Sequence, residues 1–193
     1  MNFLGHLLLT YPHRELTMGN LLGDLIRSQE AKGLSEGLQQ GFSLHHEIDR
    51  QTDQHPAVRE LIVLLRPTHA KYAPVVVDIL LDHVLAQRWS AHADLTYSEF
   101  TQWVYHLVPE YLSFLSKPVA SRLESMVMHR WIDGYDTSEK LYQVLLRMDK
   151  RASFPSQFVT GVKDIITHRD LFNTSFTEFY VGMQERFAGM IHE

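Results

Sequence analysis

The stretch Val75-Val76-Val77-Asp78-Ile79-Leu80-Leu81-Asp82-His83-Val84-Leu85 constrains this chain more than any other part of it. Apolar residues face every side of the helix it predicts, so that helix belongs inside a bundle, and two aspartates and a histidine go in with it. A carboxylate buried without a partner is strongly destabilising, so Asp78 and Asp82 require a cation or strong donors close by.

Helical spacing of apolar residues continues elsewhere, as in Leu61, Leu64 and Leu65 and in Leu141, Val144, Leu145 and Met148, and strand alternation is hard to find. Breakers at Tyr11-Pro12, Gly33, His55-Pro56, Arg66-Pro67, Ala73-Pro74, Val108-Pro109, Lys117-Pro118, Gly134 and Phe154-Pro155 cut the chain into helix-length pieces. The pattern predicts helices near 2–10, 17–30, 35–52, 56–66, 72–91, 96–115 with a break at Pro109, 118–133, 137–151, 156–168 and 173–191. The expected fold is all-α, a single-domain bundle of about eight to ten helices spanning residues 1–193, since this length supports one core. Phe172, Phe176, Phe179, Tyr180, Met183 and Phe187 form a stripe that reads as core packing.

A net charge of −5 with no strongly basic half disfavours a nucleic-acid binder. The apolar part of the N-terminal segment is too short to span a bilayer and lacks the flanks of a secretion signal, so no membrane association and a cytoplasmic location are expected. With no cysteine, any metal site must use His, Asp, Glu or Asn.

Polar residues four apart recur inside the apolar helices of the first half: Asn2 and His6, Asn20 and Asp24, His45 and Asp49, Asp78 and Asp82. A four-residue step puts both members on one helix face. Any one pair is well explained by hydrogen bonding in the core, but several of them before residue 84 point to a divalent metal held between helices. This donor mixture suits Mn or Mg, and also Fe, better than soft-ligand metals; Zn is possible. His46, adjacent to His45, points about 100° away and is a candidate acid/base group. His13, His55, His69, His92, His106, His129, His168 and His192 read as surface or capping residues. No nucleophile elbow, P-loop, dinucleotide fingerprint or His-Glu-x-x-His helix is present.

At these residues the chain resembles the bacterial acyl carrier protein phosphodiesterases. The resemblance is carried by Met1-Asn2-Phe3-Leu4-Gly5-His6-Leu7, Gly19-Asn20-Leu21-Leu22-Gly23-Asp24, His45-x-x-Ile48-Asp49 and Asp78 followed by Asp82-His83, with weaker similarity around Trp89, Trp131, Tyr135 and Arg151. That family is similar in metal use to the helical HD-domain phosphohydrolases, although the adjacent pair here reads Asp82-His83 where that superfamily has His-Asp. The resemblance implies hydrolysis of the phosphodiester joining 4'-phosphopantetheine to a serine of holo acyl carrier protein, with that carrier as partner.

On this reading His6, Asp24, His45, Asp49, Asp78, Asp82 and His83 include the ligands of one or two ions, and Asn2 and Asn20 orient them. Asp24 and His46 are the residues expected to act in catalysis. Arg27, Arg147, Lys150 and Arg151 are expected to hold the phosphate or dock an acidic carrier. A nucleotide-type diester as substrate, a non-catalytic carrier-binding module, and a bundle whose polar pairs satisfy one another are the alternatives.

Overall fold

The computed structural model describes residues 2–154 and 156–191, with the side chains of 188, 190 and 191 excepted. Pro155 and His192 lie outside them. The described residues are helical, joined by turns and short 3-10 segments, and contain no strand, so the all-α expectation is borne out. Among them no helix is long and apolar enough to cross a membrane.

The elements are α1 (Phe3–Thr10), α2 (Arg14–Leu22), the single turn α3 (Ser28–Ala31), α4 (Glu36–Gln54), α5 (Pro56–His69), α6 (Ala73–Gln87), α7 (Tyr97–Leu107), α8 (Lys117–Met128), α9 (Ser138–Arg151), α10 (Gly161–Thr167) and α11 (Arg169–Ile191). Their starts follow from local chemistry. Ser35, Thr96 and Thr137 accept a backbone N–H at the heads of α4, α7 and α9, and Pro56, Pro74 and Pro118 stand in the first turns of α5, α6 and α8, where no N–H is needed.

Helix α6 is the axis of the fold, packed against α1, α5, α10 and α11, and Val76, Val77 and every residue from Ile79 to Ala86 are buried. The aromatic stripe of α11 is buried from Phe172 to Phe187, as its spacing predicts.

Asp82 sits at the centre of this core and is fully buried. Its Oδ2 accepts the Leu4 N–H at 2.8 Å and its Oδ1 the Gly5 N–H at 3.1 Å, so a carboxylate on α6 satisfies the orphan amides at the head of α1. Asn2 stands at the N-cap position without doing so. Burial pushes the Asp82 carboxyl up to about 7, against the pull of the two amides. Asp82→Ala would strand both amides in the core and is expected to cost roughly 2–4 kcal/mol, read as a shift of the urea midpoint.

Helices α2 and α4 touch backbone to backbone. A Cβ on Gly19 would lie 2.2 Å from the Leu38 carbonyl oxygen, and one on Gly41 would lie 2.2 Å from that of Leu16. Only hydrogen at both positions permits this approach, and it is what carries Asn20 of α2 to the ring of His45 on α4.

Several predicted boundaries need correction: α6 stops at Gln87 instead of 91, α8 at Met128 instead of 133, and α10 begins at Gly161 instead of 156, with short 3-10 turns in the neighbouring residues, and three others differ as follows. The helix expected over 17–30 runs from 14 to 22, breaks over 23–27 and resumes for one turn. At the break Gly23 lies under the His45 ring, where a Cβ would come within 2.1 Å of Cγ. Helix α5 continues past Pro67 to His69, because the carbonyl that proline leaves without a partner belongs to the strongly exposed Val63, on the water side. The last helix begins at Arg169 instead of 173. His69 is also not a surface residue: it is buried and its Nε2 meets Asp164 Oδ2 at 2.7 Å, tying α5 to α10.

Candidate metal centre

Three helices deliver the site: α1 brings His6, α2 brings Asn20, and α4 brings His45 and Asp49. His6, Asn20 and His45 are buried, whereas the Asp49 side chain is 44% exposed and opens toward solvent. One amide organises the group. Asn20 Nδ2 donates to the His6 carbonyl oxygen at 2.8 Å, which turns Oδ1 toward both rings. That oxygen accepts from His6 Nδ1 at 3.1 Å and from His45 Nδ1 at 3.2 Å. Because an amide oxygen can only accept, both rings carry hydrogen on Nδ1 and present Nε2 to the opposite side.

Both Nε2 atoms converge on the same carboxylate. His6 Nε2 is 3.1 Å from Asp49 Oδ1 and His45 Nε2 is 3.1 Å from Asp49 Oδ2, with Asp24 Oδ1 3.4 Å from His45 Nε2. Ligand atoms of His6, His45 and Asp49 all lie within 4.8 Å of one another. Two nitrogen lone pairs aimed at carboxylate oxygens repel unless a proton or a metal ion stands between them, and this donor set suits a divalent ion.

Without a metal, protons serve as the glue. Burial alone would lower His45, but its hydrogen bonds to Asp24 and Asp49 push it up to about 9. Burial wins at His6 and lowers it, against the raising effect of Asp49. Asp49 is raised by burial, yet its hydrogen bonds with His45 and His6 hold it well below the usual carboxylate range. Asp24 is lowered chiefly by His45.

A cavity of about 490 Å³ opens over this group. Asp24, Asp49, Asp53 and Asp78 line it together with Asn2, and Arg122, Arg147 and Arg151 line it as well. Asp53 and Arg122 were missed from the sequence. Asp53 extends the His45 and Asp49 spacing by four more residues and could have been read from it, whereas nothing local marks Arg122 on α8.

Of the seven candidate ligands, four meet here: His6, His45, Asp49 and Asp24. Asp78 is half-buried on the cavity wall, and it too has a bonded or electrostatic contact. Asp82 is turned away to cap α1, and His83 Nδ1 donates to the Tyr135 carbonyl at 2.6 Å, so the adjacent pair anchors two other elements of the fold. Asn2 Nδ2 donates to Tyr135 Oη at 3.0 Å. His46 is exposed on α4, edge-on to Phe42, and does not line the cavity. Arg27 stands at the N-cap position of α3, its backbone N–H donating to Glu30 Oε2, and Lys150 points to solvent, both outside the cavity lining.

Comparison with known proteins gives a match to the family model "Acyl carrier protein phosphodiesterase" over residues 1–183. Curated relatives of that name include those of Enterobacter sp. strain 638, 28% identical over 95% of both chains, and Klebsiella pneumoniae strain ATCC 700721, also 28% identical over 95% of both. The protein of that name from Escherichia coli O6:K15:H31 is 29% identical over 96% of this chain and 97% of its own. No solved structure matches this chain.

Proposed function

Because the chain belongs to the acyl carrier protein phosphodiesterase family, we propose a metal-dependent route for the reaction that this membership assigns, the hydrolysis that removes phosphopantetheine from holo acyl carrier protein. The observation that carries the proposal is the convergence of His6 Nε2, His45 Nε2 and Asp49 with both Nδ1 atoms committed to Asn20. His6, His45 and Asp49, with Asp24 beside them, would hold the ion. A divalent ion bound there would offset phosphate charge and acidify a bound water.

In the net reaction water adds to phosphorus and the bond from phosphorus to the serine oxygen breaks. The carrier regains a serine hydroxyl, and phosphopantetheine departs as a phosphomonoester. Asp24, with 58% of its side chain exposed, would take the proton of the attacking water. Protonation of the serine oxygen is assigned to solvent at the open mouth, because His46 stands outside the cavity wall. Arg122, Arg147 and Arg151 supply the cationic side that a phosphate needs.

The test is to strip the protein with chelator and follow conversion of holo to apo carrier protein. Turnover is expected to fall at least about a hundredfold and to return with manganese or magnesium. Full activity after thorough demetallation would sink the mechanism while leaving the family assignment in place.

A further inference from the structure

The cavity over the metal group has a second wall, cationic and apolar together, of which the hydrolysis as proposed uses only the charge. Arg122 on α8 and Arg147 and Arg151 on α9 line it, yet none of the three has an ion pair or hydrogen bond among the described residues. Arg151 lies 5.5 Å from the centre of the Trp131 ring, and Trp131, Phe3 and Met148 give this side of the cavity an apolar surface. All three are exposed and share the cavity with Asp24, Asp49, Asp53 and Asp78, and their guanidinium groups offer planar, bidentate donors to an incoming phosphate.

A phosphodiester brings one negative charge to this wall. The phosphomonoester left after hydrolysis carries about −1.5 to −2 at neutral pH, so three arginines match the product better than the substrate. In phosphopantetheine a single methylene separates the phosphate oxygen from a carbon bearing two methyl groups, which calls for apolar surface close beside the anion seat. A cavity of about 490 Å³ has the size of a small-molecule site and cannot admit a folded carrier domain.

We infer that the wall formed by Arg122, Arg147, Arg151 and Trp131 receives the phosphopantetheine end of the diester, leaves the carrier at the mouth beside exposed Asp24, and retains free phosphopantetheine as an inhibitory product. This rests on the reaction proposed above.

Manganese-loaded protein should be titrated calorimetrically with inorganic phosphate, pantetheine and 4'-phosphopantetheine. Phosphopantetheine is expected to bind at least about tenfold more tightly than either part alone. Arg147→Gln, or Arg122→Gln should the first fail to fold, should weaken both phosphate and phosphopantetheine at least about fivefold. Trp131→Ala, or Trp131→Leu as the milder change, should weaken phosphopantetheine by a similar factor and leave inorganic phosphate within about twofold. Phosphopantetheine binding no tighter than phosphate, or tight binding indifferent to both substitutions, would overturn the inference. A wild-type protein that takes up no manganese would refute the metal reading instead, and the same titrations on it would still decide this one.

Discussion

Asp49→Asn should release the metal and reduce turnover of holo carrier protein by on the order of a thousandfold. Among the described residues Asp49 is the one carboxylate that meets both Nε2 atoms, one oxygen to each ring at 3.1 Å. Losing a partner that only orients a ligand typically costs 10–100-fold in metal affinity, so losing the shared ligand itself should exceed about a hundredfold. Because the side chain is nearly half exposed, the fold should survive, and the urea midpoint of the metal-free variant should fall only by what the His45–Asp49 pairing contributes. Metal content after gel filtration and steady-state turnover are the two readouts. An Asn variant that keeps the ion as firmly as the wild type would remove Asp49 from the site.

Metal affinity of the wild-type protein should rise about tenfold per pH unit up to about pH 9 and then level off. The metal-free His45 is held protonated up to about 9 by Asp24 and Asp49, although burial opposes this, and an incoming ion must displace that proton. Calorimetry at pH 7.5 in two buffers of different ionisation enthalpy should report close to one proton released per ion. Stability follows the same sign. The folded pKa is raised above the ordinary 6.5, so the His45 contribution is fully present below 6.5 and is lost as pH rises through about 9. The metal-free protein should therefore lose stability across that window, while the loaded protein should not. Proton release near zero would mean that the ion does not use His45 Nε2.

Much of the fold was legible because helical periodicity is local. The run from Val75 to Leu85 announced a helix buried on all sides, and α6 is the axis against which four other helices pack. The stripe from Phe172 to Phe187 likewise read as core and is buried. The predicted helix over 17–30 failed at Gly23 for a non-local reason, since the break there makes room for a ring from α4. Pro67 misled because the cost of a proline depends on whether the carbonyl it leaves unpaired faces water, and Val63 does.

The site was legible in kind and only partly in membership. Spacing by four placed His45 and Asp49 on one face of α4, and they meet there. The same rule placed Asp78 and Asp82 together on α6, but Asp78 faces the cavity while Asp82 is drawn to the amides of Leu4 and Gly5. Those amides belong to another helix, and no pattern within α6 signals them. Arg122 joined the cavity for a similar reason, because its neighbours there come from α9 and the turn over 131–135.

Sequence by itself determined that the chain is helical and that its first half carries buried His, Asp and Asn chemistry, because both follow from residue type and periodicity along one element. Which lone pairs share a point in space was decided only by tertiary structure. That depends on two glycines letting α2 and α4 touch, on one Asn20 oxygen accepting from two rings, and on a buried aspartate spent on holding α1 in place. These are relations between elements distant in sequence, and distance in space is what sets the strength of a hydrogen bond, a charge pair or a ligand bond.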